Sequence, residues 1–118
     1  MRHRSKKKKV GRNSAQRSSL LRNLATSLVL HEKLETTESK AKALKTVIEK
    51  LIGHSLKDEP REAIRKLNAY FYDKAAARKM IEVLKPRYQD RKSGFTRIRA
   101  VGIRKGDNGK VCRIELLQ

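Results

Sequence analysis

Cysteine and aromatic residues are scarce in this chain of 118 residues, which has one Cys, no Trp, two Phe and three Tyr. A single cysteine, Cys112, cannot form an internal disulfide, so a secreted disulfide scaffold is excluded. No apolar run approaches the roughly 18 residues that a membrane span requires. The first residues are polar and basic, with no apolar segment behind them. We therefore expect neither a membrane span nor a secretory signal.

Acidic residues are few and unevenly distributed. The chain has 31 Lys and Arg against 12 Asp and Glu, a formal net charge of +19. Residues 1–31 contain nine basic residues and no acidic one, residues 32–84 carry a net charge of +3, and residues 85–118 carry +7. Phosphate binding by Lys and Arg releases counterions, and so large a charge repels itself unless a partner screens it. The distribution favours nucleic acid as the partner. A membrane surface fits less well, because aromatic anchors are lacking.

Residues that could form a catalytic or metal site are isolated from one another. His3, His31, His54 and Cys112 lie in four different segments, whereas zinc sites need ligands at short, fixed spacings. The acidic residues are better explained as helix caps, turn residues and surface residues than as a catalytic pair. We therefore expect no enzymatic activity, no metal, no cofactor and no small-molecule substrate.

Apolar residues recur at helical spacing in four segments. The first helix is predicted over 14–30, with Asn13 and Ser14 as candidate N-caps. A second helix follows Thr37, and Gly53 ends its apolar repeat or lies in its last turn.

Two further helices follow in the middle of the chain. Asp58 and Pro60 open the third, and Asp73 opens the fourth, which Pro86 is expected to stop. The residues predicted to face the core from these two helices are Ala63, Ile64, Leu67, Phe71, Ala76, Met80, Ile81 and Leu84.

Strand-like alternation appears in three segments. Residues 31–36 form a short candidate strand, and 95–103 and 110–117 flank an Asn-Gly pair, which is a strong hairpin signal. Within 95–103, Ile98 and Ala100 are predicted to face the core and Arg97 and Arg99 to lie together on the other face. The length is typical of a single domain over 1–118, with 1–12 as a basic arm that becomes ordered on its partner.

Few aromatic residues are placed where they could stack on bases. Tyr88 and Phe95 are the candidates, but for both the role of a half-buried anchor in the loop is favoured over stacking. Recognition of backbone and shape therefore fits better than reading of bases.

An ordered series of short motifs runs through the chain: MRHR (1–4), GRNS (11–14), RN (22–23), SLV (27–29), HE (31–32), TT (36–37), KAK (40–42), PRY (86–88), GFTRI (94–98), RKGD (104–107) and IEL (114–116). The series resembles that of the bacterial large-subunit ribosomal proteins of the L-seventeen family, over essentially the full length. It departs from the family in a denser lysine run at 6–9 and in Ser93, where a glycine is usual.

The resemblance implies an α+β fold that runs helix, strand, three helices and two strands, with the helices packed on one face of a small mixed three-stranded sheet. It implies a structural constituent of the large (50S) ribosomal subunit, bound to 23S rRNA through phosphate-backbone and shape contacts near the rim of the peptide exit tunnel. The L-thirty-two family protein would be a neighbour. The expected location is the cytoplasmic ribosome, with an organellar ribosome as the other option.

Under this hypothesis, two groups of residues contact rRNA. The arm and the first helix contribute Arg2, His3, Arg4, Lys6, Lys7, Lys8, Lys9, Arg12, Asn13, Ser14, Arg17 and Arg22. A second footprint consists of Arg87, Arg91, Lys92, Arg97 and Arg99.

Two other functional classes remain as alternatives. A free protein that regulates nucleic acid, or one that compacts DNA, would also account for the strongly basic charge. A small metal-dependent nuclease would need a carboxylate pair, with Asp90 or Asp107 as its candidates.

Overall fold

The secondary structure follows the predicted order. A computed structural model describes residues 14–57 and 59–118. Within them, the helices are α1 (Ser14–His31), α2 (Glu38–Lys57), α3 (Pro60–Tyr70), α4 (Lys74–Lys79) and α5 (Lys85–Arg87), and a π-helical turn (Met80–Leu84) joins α4 to α5. The strands are β1 (Lys33–Thr37), β2 (Thr96–Ile103) and β3 (Lys110–Leu116). The α+β class is confirmed, and α4, the π-helical turn and α5 together form the predicted fourth helix.

α1 and α2 supply apolar faces to the core. Their buried apolar residues are Ala25, Leu28 and Val29 of α1 and Ala41, Ala43, Leu44, Ile48, Leu51 and Ile52 of α2. Spacings of three and four residues place each set on one side of its helix. The predicted bounds of α1 are confirmed to within one residue, and Gly53 lies inside α2, which continues to Lys57.

A left-handed residue turns the chain from α1 into β1. Glu32 has a φ of 66°, and its N–H donates to the carbonyl of Leu28 at 2.7 Å. Its own carbonyl accepts a hydrogen bond from the N–H of Leu116 at 2.9 Å. The corner is therefore tied to the end of β3.

α3 buries a narrower stripe than the sequence predicts. Ala63 and Leu67 are buried, but the side chain of Ile64 is 44% exposed, so its predicted core position is wrong. One helical step turns a side chain by about 100°, which moves Ile64 off the narrow buried face. Phe71 is buried just beyond the end of the helix.

The end predicted for the fourth helix is also wrong, because Pro86 lies within α5. Asp73 caps the start of α4 as predicted, accepting a hydrogen bond from the N–H of Ala75 at 2.9 Å. Proline lacks the N–H that would continue the regular ladder. The π-helical turn comes immediately before, with the N–H of Lys85 donating to the carbonyl of Met80. The register thus changes ahead of the proline, and the helical stretch continues to Arg87.

The sheet has the order β1-β3-β2, and both neighbouring pairs are antiparallel. The expected mixed sheet is therefore wrong. β1 and β2 do run in the same direction, but β3 lies between them, so no parallel pair forms. Ile114 and Leu116 of β3 are buried, whereas their neighbours Arg113 and Glu115 are only partly so. The helices accordingly cover one face of the sheet.

The hairpin between β2 and β3 forms as predicted, with Gly106 and Asn108 at positive φ in its turn. An irregularity in pairing lies between Ala100 and Gly102. From Ala100 onward β2 is exposed, and Ile103 is 68% exposed. Ala100 lies opposite Cys112, on the core side of the sheet as predicted, but its side chain is exposed because the helices cover only the first half of this strand.

Candidate nucleic-acid interface

Nine predicted rRNA-binding residues lie outside the described part of the chain: Arg2, His3, Arg4, Lys6, Lys7, Lys8, Lys9, Arg12 and Asn13. Their role, like that of the arm 1–12, stays a prediction. Ser14, the first residue of α1, is exposed, and Arg17 follows one turn later on the same side of the helix. The helix start therefore presents both residues next to the basic segment.

Arg22 lies beside two aromatic rings. Its guanidinium carbon is 5.3 Å from the ring centre of Tyr70 and 5.9 Å from that of Tyr72. Both distances fall in the cation–π range. Its Nε is buried without a hydrogen-bond partner among the described residues. Burial raises the pKa of Tyr70, and the nearby guanidinium opposes that shift. Arg22 thus joins α1 to the end of α3, a packing role that the sequence did not indicate.

Arg87 is held by a carboxylate rather than presented to solvent. The side chain of Glu32 lies between Arg87, to which it is hydrogen-bonded, and Lys79, whose Nζ is 3.1 Å from its other oxygen. Lys79 also donates to the carbonyl of Leu30 at 3.1 Å. Mainly because of the hydrogen bond from Arg87, the pKa of Glu32 is lowered. Arg87 therefore takes part in a bridge between α5 and the α1–β1 corner, and its contact with rRNA stays a prediction.

Arg91 and Lys92 lie in the exposed loop between α5 and β2. Nη1 of Arg91 donates to the carbonyl of Gly94 at 3.0 Å, across a turn in which Gly94 has a φ of 71°. The loop thus presents both charges at the surface, as the second footprint requires.

Arg97 and Arg99 share the helix-free face of the sheet, as predicted, and both meet Glu115. Nε and Nη2 of Arg97 lie 3.0 and 2.8 Å from the same Glu115 oxygen, and Nη1 of Arg99 lies 3.8 Å from it. Mainly because of the hydrogen bond from Arg97, the pKa of Glu115 is lowered. The carboxylate holds the two cations together at the surface.

The register shows that this charged face is wider than the sequence indicated. One row across the strands contains Lys33, Glu115 and Arg97, and the next contains Glu35, Arg113 and Arg99. Nη2 of Arg113 lies 3.0 Å from Glu35. We call these six residues the outer sheet face. It has four basic and two acidic side chains, and Lys33 and Arg113 were missed because their position depends on the pairing of β1 with β3.

The two aromatic residues considered for base stacking are both buried. Tyr88 is 0% and Phe95 1% exposed, and their ring centres are 5.2 Å apart. The hydroxyl of Tyr88 donates to the carbonyl of Leu117 at 2.5 Å. The anchoring role favoured for them is confirmed. Among the described residues, the exposed ring is instead that of Tyr72, at 56%.

Residues 14–57 and 59–118 contain no group of three His, Cys, Asp or Glu side chains that could hold a metal ion. Cys112 is a free, buried cysteine on the core side of β3, as predicted. The helices in the same part of the chain include none long and apolar enough to cross a membrane.

Comparison with known proteins agrees with the motif series. A family model described as "Ribosomal protein L17" matches residues 20–117. The chain belongs to the ribosomal protein L17 family. It is 44% identical to the large ribosomal subunit protein bL17 of Wolinella succinogenes over 117 residues, 99% of this chain and 100% of that protein. It is also 44% identical to the bL17 protein of an Exiguobacterium species over 115 residues, 92% of this chain and 97% of that protein.

A longer relative is the bL17 protein of Geotalea daltonii, which is 38% identical over 118 residues, all of this chain and 65% of that protein. Membership of the L17 family makes the chain a ribosomal protein.

Proposed function

We propose that the chain is a structural constituent of the bacterial-type large ribosomal subunit that binds 23S rRNA through phosphate-backbone and shape contacts. The observation that carries this proposal is the similarity to the bL17 protein of Wolinella succinogenes, which extends over essentially the whole of both chains. The family relationship indicates that the assembly is the large ribosomal subunit. The net charge of +19 indicates that binding to RNA depends on contacts with phosphates.

The two proposed contact regions differ in physical character. Residues 1–12 act as a basic arm that becomes ordered on the RNA and contributes mainly charge, because seven of these twelve residues are Lys or Arg. The outer sheet face is a preformed surface, since backbone pairing across three strands fixes where Arg97, Arg99 and Arg113 emerge. Together with Ser14 and Arg17 at the start of α1, these regions position one domain, 1–118, against folded RNA.

The carboxylates on the outer sheet face favour RNA shape recognition over non-specific attraction. Glu115 and Glu35 reduce the net positive charge of this face and hold the arginines in place. A fixed guanidinium loses less conformational freedom on binding phosphate than a mobile one.

The proposed location at the tunnel rim, beside the L-thirty-two family protein of the cytoplasmic ribosome, rests on the family relationship.

Titration of the purified protein against a 23S rRNA transcript at several salt concentrations tests this function. We expect the binding constant to fall steeply with salt, with a slope that decreases by about 0.7–0.9 for each phosphate contact removed. Deletion of residues 1–12 should lower affinity and flatten the slope. A full-length variant with Lys6, Lys7, Lys8 and Lys9 replaced by Gln is the matched control for chain length.

Duplex DNA of similar length is the competitor in the same experiment. If the DNA binds as tightly as the rRNA, the protein is a general nucleic-acid binder and the ribosomal function is wrong. An unchanged salt slope after deletion of the arm would show that the arm does not bind phosphate. Sedimentation of a tagged copy with the 50S subunit at moderate salt provides the cellular check.

A further inference from the structure

The side chain of Tyr72 lies exposed in the short connection between α3 and α4. It is 56% exposed, although its neighbour Phe71 is buried in the core. The residues on either side are fixed, because Phe71 donates its N–H to the carbonyl of Leu67 at 2.9 Å and Asp73 caps α4. An aromatic ring therefore stands at the surface on a firmly held backbone.

Contacts with α1 also restrain the ring itself. The Tyr72 hydroxyl lies 3.4 Å from Oγ of Ser19, and the guanidinium carbon of Arg22 is 5.9 Å from the ring centre. Arg22 is held in turn against Tyr70. Restraint of an exposed ring reduces the entropy lost when a flat ligand packs on it.

We propose that Tyr72 is a stacking platform for one unpaired nucleobase of rRNA. This inference rests on the proposed rRNA-binding function and adds to it a site for a base, where the sequence indicated contacts with backbone and shape only. Aromatic side chains stack on bases that are splayed out of loops and bulges. Every base offers a π-face, so the platform selects an unpaired base rather than a particular sequence.

A groove on α1 lies next to the platform. It has a volume of about 430 Å³ and is lined by Ala15, Gln16, Ser19, Leu20 and Asn23. Ser19 belongs both to this groove and to the contact with Tyr72. The exposed amide of Asn23 offers a hydrogen-bond donor and an acceptor, which match the edge of a base.

The surrounding charge favours RNA over a protein as the occupant. The groove includes the first turn of α1, which the chain enters from residues 1–13, where seven residues are basic and none is acidic. α1 contains no acidic residue, and it carries Arg17 and Arg22. The nearest carboxylate in sequence, Asp73, is bound to its own helix start. A phosphate backbone bound along the start of α1 would bring bases within reach of Tyr72, since Ser19 of α1 contacts its hydroxyl.

Two full-length variants, Tyr72→Leu and Tyr72→Phe, test the platform by titration against a 23S rRNA transcript. Leucine keeps an apolar side chain but removes the π-face, whereas phenylalanine keeps the ring and removes only the hydroxyl. We expect Tyr72→Leu to weaken binding at least about fivefold with an unchanged salt slope. Tyr72→Phe keeps the π-face and the contact with Arg22 and should retain most of the binding, although it loses the restraint by Ser19. Circular dichroism and thermal unfolding of both variants check that the fold is retained.

The outcomes separate this inference from the function on which it rests. Failure of the wild-type protein to bind the transcript contradicts the proposed function itself. If the wild type binds and Tyr72→Leu binds equally well, only the platform is wrong. If Tyr72→Leu binds the transcript normally but is incorporated less into 50S subunits, Tyr72 contacts a protein rather than a base. That result also overturns the inference.

Discussion

Glu49 and Thr96 lie 47 positions apart in the chain, and Oε1 of Glu49 accepts hydrogen bonds from both the N–H and the hydroxyl of Thr96, at 3.2 and 2.9 Å. The same oxygen accepts a hydrogen bond from the N–H of Phe95 at 3.0 Å. A carboxylate of α2 thus satisfies the backbone donors where β2 begins. The start of the strand that carries Arg97 and Arg99 is thereby fixed to the helical layer.

Replacing Glu49 with Ala should destabilise the fold by about 1–3 kcal/mol, because buried backbone donors at the start of β2 lose their acceptor. Glu49→Gln keeps one carbonyl acceptor and should cost less. Urea unfolding measures both values. Glu62→Ala, at an exposed position of α3, is the control, and an equal effect of the two alanine variants would contradict the role of Glu49.

The bridge formed by Glu32 should make stability depend on pH. Its folded-state pKa is lowered below the usual value, so the unfolded chain binds more protons in that range and stability rises with pH. The contribution is present above the unfolded pKa, about 4.3, and is lost as pH falls through the folded value. Urea unfolding between pH 7 and 3 should show a shallower acid loss for Glu32→Gln than for the wild type.

At pH 7, Glu32→Gln should be less stable than the wild type by about 1–2 kcal/mol, since the side chain is hydrogen-bonded to Arg87 and only partly exposed. Glu62→Gln removes a carboxylate without removing a bridge and serves as the reference. If the two variants lose stability in parallel with the wild type across the acid range, the bridge does not contribute.

Tyr88 should stabilise the fold rather than contact RNA, because its side chain is buried. Tyr88→Phe loses the hydrogen bond to the carbonyl of Leu117 and should cost about 1 kcal/mol. Tyr88→Ala also opens a cavity against Phe95 and should cost about 3–5 kcal/mol. Denaturant unfolding gives both values. Tyr72→Phe, at an exposed position, should leave the free energy of unfolding nearly unchanged. A loss as large as that of Tyr88→Phe would contradict the stabilising role of the Tyr88 hydrogen bond.

Glu115 should limit the non-specific electrostatic part of RNA binding by the outer sheet face, because it lowers the net positive charge of that face. Glu115→Gln removes the carboxylate that Arg97 and Arg99 share and should raise affinity for 23S rRNA a few-fold at low salt, with a steeper salt slope. Filter binding or fluorescence anisotropy provides the measurement. Arg97→Gln, the opposite charge change at the same ion pair, should lower affinity. Unchanged binding by both variants would remove the outer sheet face from the interface.

Local patterns in the sequence determined the elements of this protein. Apolar residues at helical spacing predicted α1 and α2 within a few residues, and the Asn-Gly pair predicted the hairpin of β2 and β3. These features depend on neighbours a few positions apart, so the sequence contains them directly. The charge distribution likewise indicated a polyanionic partner, and the motif series indicated the family.

The tertiary structure decided which strand lies in the centre and which charges meet. β1 pairs with β3 between positions that are 74 to 82 residues apart in the sequence. That pairing makes the sheet antiparallel and adds Lys33 and Arg113 to the outer sheet face. Arg87 is bound by Glu32, and Arg22 lies against two tyrosines. Burial of Tyr88 and Phe95 and exposure of Tyr72 were decided in the same way. Each outcome depends on contacts between residues distant in the chain, because local spacing sets the face of an element but not what that face will meet.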